Sequence, residues 1–286
     1  MTAPRRMAGE GTGHRAKRSL GQNFLIDPNL QRRIVEALSP GPEDEVLEIG
    51  PGLGALTRHL VGQVRRLILV ELDRDLAARL RGEFAGREDV VVFERDVLTL
   101  PLEEVVDDVA ALKVIGNIPY NITTPIIFSL LERRPRPSSI VLMVQREVAE
   151  RIVATPGGKS YGALAVGVQS VAQAERVLDV GRRAFRPVPD VESAVVRLEP
   201  HQPPRLSRDD EAALRVLTRH AFGQRRKQFQ RILRSAYHLD AAAIERLERE
   251  TRFDLRARPE TFSPEEFIAL ARQLREEEDP ARGSGS

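Results

Sequence analysis

The sequence predicts an α/β protein with a mostly parallel sheet, followed by a small all-α C-terminal domain. Short apolar runs alternate with helical patterns through the first half of the chain. These runs are almost uninterrupted, which is typical of parallel strands that are covered by helices on both faces. From the proline-rich segment 200–204 onward, the pattern is helical throughout. The change in composition at this segment indicates a domain boundary.

Capping residues mark the starts of three predicted helices. An N-cap side chain followed by proline at the first helical position is one start signal. A serine with a glutamate three residues later, which together form a capping box, is another. The signals are Asp27-Pro28, with a helix to about Leu38; Thr124-Pro125, with a helix through Leu131; and Ser263 with Glu266, at the start of a helix from Pro264.

The remaining elements follow from the period of the hydrophobic residues. Strands are predicted at 45–49, 67–71, 90–94, 112–116 and 140–144. Helices are predicted at 53–61, 74–82, 146–153, 208–222, 227–236 and 241–248. Two β-rich segments, 171–180 and 193–198, flank a proline-bearing loop and indicate an antiparallel pair at one edge of the sheet.

The composition excludes several classes of protein. No stretch reaches the ~18 apolar residues that a membrane helix needs, so we expect no membrane partner. The basic amino terminus has no apolar run behind it, so we expect no secretory signal. The chain has no cysteine, which excludes disulfides and thiol chemistry and agrees with a cytoplasmic location. Its five histidines lack metal-ligand spacing, so we expect no bound metal. We also expect the protein to be a monomer.

Positive charge is concentrated in two segments, although the formal net charge is only +2. A basic arm lies at the amino terminus, and the run 219–234 contains six cations and no acidic residue. Such segregation is the electrostatic footprint of a nucleic-acid binder. The alternative, a solvated helix face, would normally interleave acids with the cations. The candidate RNA-binding residues are Arg225, Arg226, Lys227, Arg231 and Arg234.

Candidate ligand-binding residues lie at the ends of four successive predicted strands. The turn Gly50-Pro51-Gly52-Leu53-Gly54 follows the first strand and lets the backbone approach a ligand closely. Glu71 ends the second strand, where a carboxylate can accept hydrogen bonds from both hydroxyls of a ribose. Asp96 follows the third strand and is placed to accept from an adenine amino group. Asn117 follows the fourth, at the edge where open α/β sheets bind ligands.

The motif Asn117-Ile118-Pro119-Tyr120 predicts a planar slot for an aromatic amine. The Asn117 side-chain carbonyl and the Ile118 backbone carbonyl are acceptors that can hold an amino group while its nitrogen pyramidalises. Pro119 restricts Ile118 to extended conformations and so holds that carbonyl in place. Tyr120 offers a face on which a base can stack. The alternative is an ordinary turn at the end of a strand.

Together these motifs resemble those of class I S-adenosylmethionine-dependent N6-adenine methyltransferases, which have a Rossmann-like fold. The motifs that carry the resemblance are Glu48-Ile49-Gly50-Pro51-Gly52-Leu53-Gly54, Glu71-Leu72-Asp73, Arg95-Asp96-Val97 and Asn117-Ile118-Pro119-Tyr120. Residues 21–25 (GQNFL) and 185–196 (FRPVPDVESAVV) are similar to two signatures of the rRNA adenine dimethyltransferases. The resemblance extends from roughly residue 17 to about residue 270.

The resemblance implies that S-adenosylmethionine donates methyl groups to N6 of two adjacent adenosines. These adenosines lie in a hairpin loop near the 3′ end of 16S rRNA, within an immature 30S subunit, and each is dimethylated. The resemblance also implies that Asn23 and Leu25 bind the cofactor. Phe185 is a candidate for stacking on the base opposite Tyr120, with core packing as the alternative. Glu48 is a candidate for an indirect contact with the methionine amine, with hydrogen bonding to the backbone as the alternative.

Three other functions stay open from the sequence. A 23S rRNA adenine methyltransferase of the macrolide-resistance type shares most of these motifs, although Gly21 and the segment 161–166 favour the small-subunit enzyme. A non-catalytic assembly or transcription factor on the same fold agrees less well with an intact Asn117 motif. An NAD oxidoreductase is disfavoured, because the glycine spacing is G-x-G-x-G.

The resemblance and the composition together divide the chain into four parts. We predict a basic flexible arm at residues 1–18 and a Rossmann-like methyltransferase domain at 19–202. A helical RNA-binding domain follows at 203–280, and a disordered tail at 281–286. The RNA-binding assignment rests on the basic run in the third part.

Overall fold

The computed structural model describes Lys17 and residues 21–278. The predicted tail lies outside these residues, as does the predicted basic arm apart from Lys17. Within the described part, strands and helices alternate up to Pro200, and helices with their connecting turns follow. The predicted fold class, α/β with a C-terminal helical region, is therefore confirmed.

The described residues contain nine strands in two sheets. They are β1 (Phe24–Leu25), β2 (Glu45–Ile49), β3 (Arg66–Glu71), β4 (Val90–Glu94), β5 (Lys113–Asn117), β6 (Ser139–Gln145), β7 (Ala172–Val180), β8 (Phe185–Arg186) and β9 (Ser193–Pro200). The main sheet has the order β4-β3-β2-β5-β6-β9-β7, and β1 pairs with β8. Strands β2 to β6 are mutually parallel, whereas β9 is antiparallel to β6 and β7. The predicted antiparallel pair therefore forms one edge.

The described helices are α1 (Pro28–Leu38), α2 (Thr57–Leu60), α3 (Arg74–Glu83), α4 (Leu102–Val105), α5 (Thr123–Leu131), α6 (Arg146–Ile152), α7 (Ala163–Gln169), α8 (Arg208–Gly223), α9 (Phe229–Tyr237), α10 (Ala241–Thr251) and α11 (Pro264–Glu278). Two predicted caps are present. The Asp27 carboxylate accepts from the first turn of α1, next to Pro28. Ser263 and Glu266 exchange the two bonds of a capping box. None of the helices in the described part is long and apolar enough to cross a membrane.

Both faces of the main sheet are buried, because successive side chains of a strand point to opposite sides. On one face, Val46 and Leu67 pack in a cluster with Ile34 of α1. On the other face, Leu47 belongs to a larger cluster that continues through α5 and α7 into the C-terminal helices, where it includes Phe229. The helical region therefore shares an apolar core with the sheet.

Several elements differ from the prediction. Of the helix predicted at 53–61, only α2 forms, because the glycine turn occupies its first residues. Thr124 is not an N-cap, since a 3₁₀ turn at 120–122 leads directly into α5 at Thr123. The helix predicted to begin at Lys227 begins at Phe229. Helix α7 and the β1–β8 pair were not predicted, because two-residue strands show no period and α7 is buried on most of its surface.

Candidate active site

The glycine-rich turn after β2 has a backbone that only glycine adopts readily. Gly50, Gly52 and Gly54 have φ angles of +63°, +59° and +78°, in the left-handed region. The Gly50 N–H donates to the Val70 carbonyl at 2.9 Å, which ties the turn to β3. The G-x-G-x-G spacing therefore corresponds to three left-handed positions. Gly50 and Gly52, both predicted to bind the cofactor, line the pocket described below.

Glu71 connects the glycine turn to the end of β3. Its Oε2 accepts from the Gly52 N–H at 3.0 Å, and its Oε1 accepts from the Asp73 N–H at 2.9 Å. The residue is only 6% exposed, and burial raises the pKa of its carboxyl above the ordinary value. Each carboxylate oxygen can still accept a further hydrogen bond, because one bond uses only part of its acceptor capacity. The geometry is thus compatible with a ligand that offers two hydroxyls.

Asp96 occupies the corresponding position after β4. It caps the 3₁₀ turn at 97–99, where its Oδ1 accepts from the Leu98 N–H at 2.9 Å. This bond orients the carboxylate, no described residue donates to Oδ2, and Asp96 lines the pocket. Two acidic side chains, Glu71 and Asp96, therefore follow neighbouring parallel strands at the same edge of the sheet.

Asn117 ends β5 and is oriented by the amino-terminal segment. Its Nδ2 donates to the Asn23 backbone carbonyl at 3.0 Å, which leaves Oδ1 as the acceptor of the amide. The Ile118 N–H donates to the Met143 carbonyl at 3.3 Å, and no described residue donates to the Ile118 carbonyl. Within the described residues, the two acceptors of the predicted slot, Asn117 Oδ1 and the Ile118 carbonyl, thus have no donor. Pro119, next in the motif, has φ −55° and ψ 133°.

Tyr120 lies half-buried at the start of the 3₁₀ turn and lines the same pocket. Its hydroxyl is 2.7 Å from Ser193 Oγ, so the two groups share a hydrogen bond. Burial raises the pKa of the Tyr120 phenol above its usual value. The ring is therefore neutral near pH 7 and is held at its hydroxyl end. No sequence pattern pairs these two residues, because 73 positions separate them in the chain.

Phe185 lies in the apolar core, and its role in stacking on a base stays a prediction. Its side chain is 1% exposed and packs in the cluster with Ile34 and Val195. It does not line the pocket. Its position is the one expected from the alternative interpretation, in which Phe185 packs in the core. Phe185 anchors the proline-bearing loop because β8, which it begins, pairs with β1.

The segment around β1 forms one wall of the pocket. Asn23 and Leu25, which only the resemblance implied, both line it. Gln22 Nε2 and Lys17 Nζ donate to the two carboxylate oxygens of Asp73 at 2.8 and 2.7 Å. These bonds attach the segment to the end of β3. The sequence did not reveal them, because no local pattern connects the two regions.

Glu48 lies on β2, is buried and also lines the pocket. Its Oε2 accepts from the Thr57 hydroxyl at 2.7 Å. Burial, together with the nearby Glu71 carboxylate, raises the pKa of the Glu48 carboxyl to about 8, while the Thr57 bond opposes the shift. The side chain is therefore mostly protonated near pH 7. Its indirect contact with a ligand amine stays a prediction.

One pocket contains nearly all of the predicted catalytic and cofactor-binding residues, brought together from the ends of β2 to β5 and from the β1 segment. They are Asn23, Leu25, Gly50, Gly52, Glu71, Asp96, Asn117, Ile118, Pro119 and Tyr120. Among the described residues, no group of His, Cys, Asp or Glu side chains has the arrangement of a metal site.

The candidate RNA-binding cations lie apart from this pocket. Arg225, Arg226 and Lys227 occupy the turn between α8 and α9, and Arg231 and Arg234 follow on α9. All five side chains are exposed, and none forms an ion pair with another residue of the described part. The first three are therefore in a turn, and not on a helix as predicted for Lys227. The buried Phe229 begins α9 directly after the turn and fixes its position.

Comparisons with known proteins agree with this site. A family model described as ribosomal RNA adenine dimethylase matches residues 13–270. The chain is 43% identical over 259 residues to the ribosomal RNA small subunit methyltransferase A of Chlorobium phaeobacteroides (strain BS1), which covers 91% of this chain and 94% of that protein. A protein of the same name from Acinetobacter baylyi is 40% identical, covering 92% of this chain and 93% of its own length.

Two solved structures share the fold over most of the chain. A dimethyladenosine transferase from Plasmodium falciparum superposes with a TM-score of 0.74 at 25% identity, covering 89% of this chain and 98% of that one. The 23S rRNA methyltransferase ErmE superposes with a TM-score of 0.68 at 28% identity, covering 88% of this chain and 100% of that one. With the family model, the relatives and the site in agreement, the chain belongs to the ribosomal RNA adenine dimethylase family.

Proposed function

We propose that this enzyme transfers methyl groups to N6 of two adjacent adenosines in a hairpin loop near the 3′ end of 16S rRNA, dimethylating each. The observation that carries the proposal is the pair of acceptors at the end of β5. Asn117 Oδ1 and the Ile118 carbonyl are both left for a ligand, beside a pocket with acidic groups at two further strand ends. Relatives that are about 40% identical bear the name of small-subunit methyltransferases.

The residues of the pocket fit S-adenosylmethionine, the methyl donor of this family. Glu71 would accept from the two ribose hydroxyls, using the acceptor capacity that the Gly52 and Asp73 amides leave. Asp96 would accept from the adenine amino group through Oδ2. The left-handed glycine turn would bring backbone close to the ligand. When bound, the cofactor supplies an electrophilic methyl group attached to a sulfonium.

The acceptors at Asn117 and Ile118 address the weak nucleophilicity of adenine N6, whose lone pair is delocalised into the ring. They accept hydrogen bonds from the two N–H groups and favour the pyramidal nitrogen. Their contribution is largest as the N–C bond forms, so it lowers the barrier more than it strengthens ground-state binding. Methylated N6 is cationic and acidic, and its proton leaves to water. The site therefore needs no general base and contributes mainly alignment.

Substrate recognition requires the adenosine to leave its stack. Bases in a hairpin loop are the least costly to extrude, which favours a loop over a duplex as the target. Tyr120, half-buried at the pocket, offers a face for the extruded base. Stacking of this kind contributes ~1–3 kcal/mol per base. We do not assign the opposite face to Phe185, because its ring is buried.

The exposed cations of the α8–α9 turn and of α9 are the proposed phosphate contacts. Arg225, Arg226, Lys227, Arg231 and Arg234 have no ion-pair partner in the described part of the chain, so binding RNA would not first require breaking such a pair. The domain division at residues 202/203 is part of the same proposal. It assigns catalysis to the sheet and RNA docking to the helices.

The proposed substrate is an immature 30S subunit in the cytoplasm, and the enzyme acts as a monomer. Small-subunit rRNA is the substrate class that the relatives' names give. An assembly intermediate, rather than a mature ribosome, is the proposed form of that substrate. The fold similarity to a 23S rRNA methyltransferase makes the large subunit the competing substrate.

The test uses ribosomal subunits from a strain that lacks this gene. Purified enzyme with S-adenosylmethionine is added to immature 30S and to 50S particles, and both rRNAs are read by primer extension and nucleoside mass spectrometry. The proposal expects N6,N6-dimethyladenosine at two adjacent positions of 16S rRNA. Methylation confined to 23S rRNA would establish the competing substrate, and the absence of methylation on both would contradict the proposed function.

A further inference from the structure

Ser193 holds the hydroxyl of Tyr120 from a position outside the pocket. The two oxygens are 2.7 Å apart. Ser193 is 1% exposed and does not line the pocket, whereas Tyr120 does. Any influence of Ser193 on a bound base must therefore pass through Tyr120.

The Ser193 hydroxyl is a rigid anchor because its backbone lies between two strands. It begins β9, where its Cα is paired with Gln145 of β6 on one side and Val180 of β7 on the other. The preceding residue, Glu192, accepts a backbone hydrogen bond from Arg146 at 2.9 Å. A displacement of the Ser193 backbone would thus disturb β6, β7 and β9, so it would be costly in free energy.

Tyr120 is held much less firmly by its own segment. It begins a short 3₁₀ turn whose next residue, Asn121, is exposed. The ring can rotate about its side-chain bonds unless its far end is fixed. The hydrogen bond to Ser193 is the fixing contact recorded for that hydroxyl. A ring held at both the Cα and the hydroxyl presents one face in a defined plane.

We propose that Ser193 is a positioning residue for methyl transfer, which sets the plane of the Tyr120 ring on which the target adenine stacks. The inference rests on the proposed function, since it assumes that a base occupies the slot beside Asn117. It assigns a purpose to the Tyr120 hydroxyl, which a purely stacking role would not need. It also links the base slot to the antiparallel edge of the sheet.

The test is a double-mutant cycle on single-turnover methylation of immature 30S subunits at saturating RNA. Ser193→Ala and Tyr120→Phe each remove one partner of the same hydrogen bond. We expect each to lower the rate by about 3- to 10-fold, the range for one neutral hydrogen bond. The double variant should be no slower than the slower single variant, because the two residues act as a unit.

Three controls separate positioning from general damage. Ser193→Thr keeps the hydroxyl and should restore most of the rate. Ser170→Ala removes another buried serine hydroxyl, one without a hydrogen-bond partner in the described part, and should keep the wild-type rate. The affinity for S-adenosylmethionine, measured by calorimetry, should be unchanged in every variant.

A wild-type rate for Ser193→Ala, or multiplicative losses in the double variant, would overturn the inference. If Ser193→Ala does not fold, Tyr120→Phe tests the same bond from the pocket side, and a wild-type rate there would also overturn it. The two proposals fail in different ways. A wild-type enzyme that leaves 16S rRNA unmethylated contradicts the proposed function. An active wild-type enzyme whose methylation rate is unchanged by Ser193→Ala contradicts only this inference.

Discussion

The side-chain amide of Asn117 donates a 3.0 Å hydrogen bond to the backbone carbonyl of Asn23. Because a carbonyl oxygen can only accept, this contact requires the nitrogen of the amide to face Asn23 and assigns the acceptor role to Oδ1. The amino-terminal segment thus sets the polarity of the catalytic motif. The contact uses the backbone of Asn23, whose side-chain amide donates separately to the Gly21 carbonyl at 3.3 Å.

Asn117→Ala should abolish most methyl transfer. The variant loses the acceptor that favours pyramidal N6, and we expect the single-turnover rate to fall on the order of 10²–10³-fold, as for removal of one preorganised transition-state hydrogen bond. Cofactor affinity and thermal stability should show that the variant is folded. Asn29→Ala is the matched control, because that side chain lies on α1 and accepts only from Arg32. A rate within about threefold of the wild-type rate would exclude a role for Asn117 in the methyl-transfer step.

Glu71→Ala should weaken binding of S-adenosylmethionine with little effect on RNA affinity. Each hydrogen bond lost to the ionised carboxylate contributes ~1.5–3 kcal/mol. The variant also releases the Gly52 and Asp73 amides, so its unfolding must be measured alongside. Glu94→Ala is the control, since Glu94 lies opposite Glu71 on β4 and is exposed. Calorimetry that gives a folded Glu71→Ala protein the wild-type cofactor affinity would exclude Glu71 from the site.

Glu48 should make the folded protein more stable at low pH than at high pH. Burial raises its pKa to about 8 from a reference value of 4.5. Because the folded-state value is the higher one, the stabilisation from protonation is fully present below about 4.5 and is lost as the pH rises through about 8. Glu48→Gln keeps a neutral side chain at every pH. The urea midpoint of unfolding of the glutamine variant should therefore rise relative to that of the wild type as the pH is raised from about 5 to about 9. A constant difference would show that Glu48 is ionised in the folded protein.

Replacing Arg225, Arg226 and Lys227 with alanine should weaken RNA binding across sequences and leave cofactor binding intact. If all three contact phosphates, the slope of log affinity against log salt should fall by up to about 2–3. The control removes Arg65, Arg81 and Arg87, which carry the same charge but are already paired with Asp107, Glu94 and Asp89. An equal change in slope for both triple variants would mean that only net charge matters.

Most of the site could be predicted because parallel strands end at one edge of a sheet. Each predicted strand was correct to within about two residues, so Glu71, Asp96 and Asn117 were placed correctly relative to one another. The buried position of Phe185 could not be predicted, because periodicity does not show which aromatic residue of a loop faces the core. The contacts of Asn23 and Ser193 join segments far apart in the chain, and neither leaves a local pattern.

The wall of the pocket is completed by the pairing of Leu25 with Phe185. These residues come from opposite ends of the catalytic half of the chain, whereas β2 to β5 follow one another closely. During synthesis, the glycine turn and the acidic strand ends are therefore available before β8, the strand partner of β1, has been made. A nascent chain can form the sheet without forming a closed pocket. We therefore expect full cofactor retention only after β8 has been translated, because β1 gains its strand partner only then.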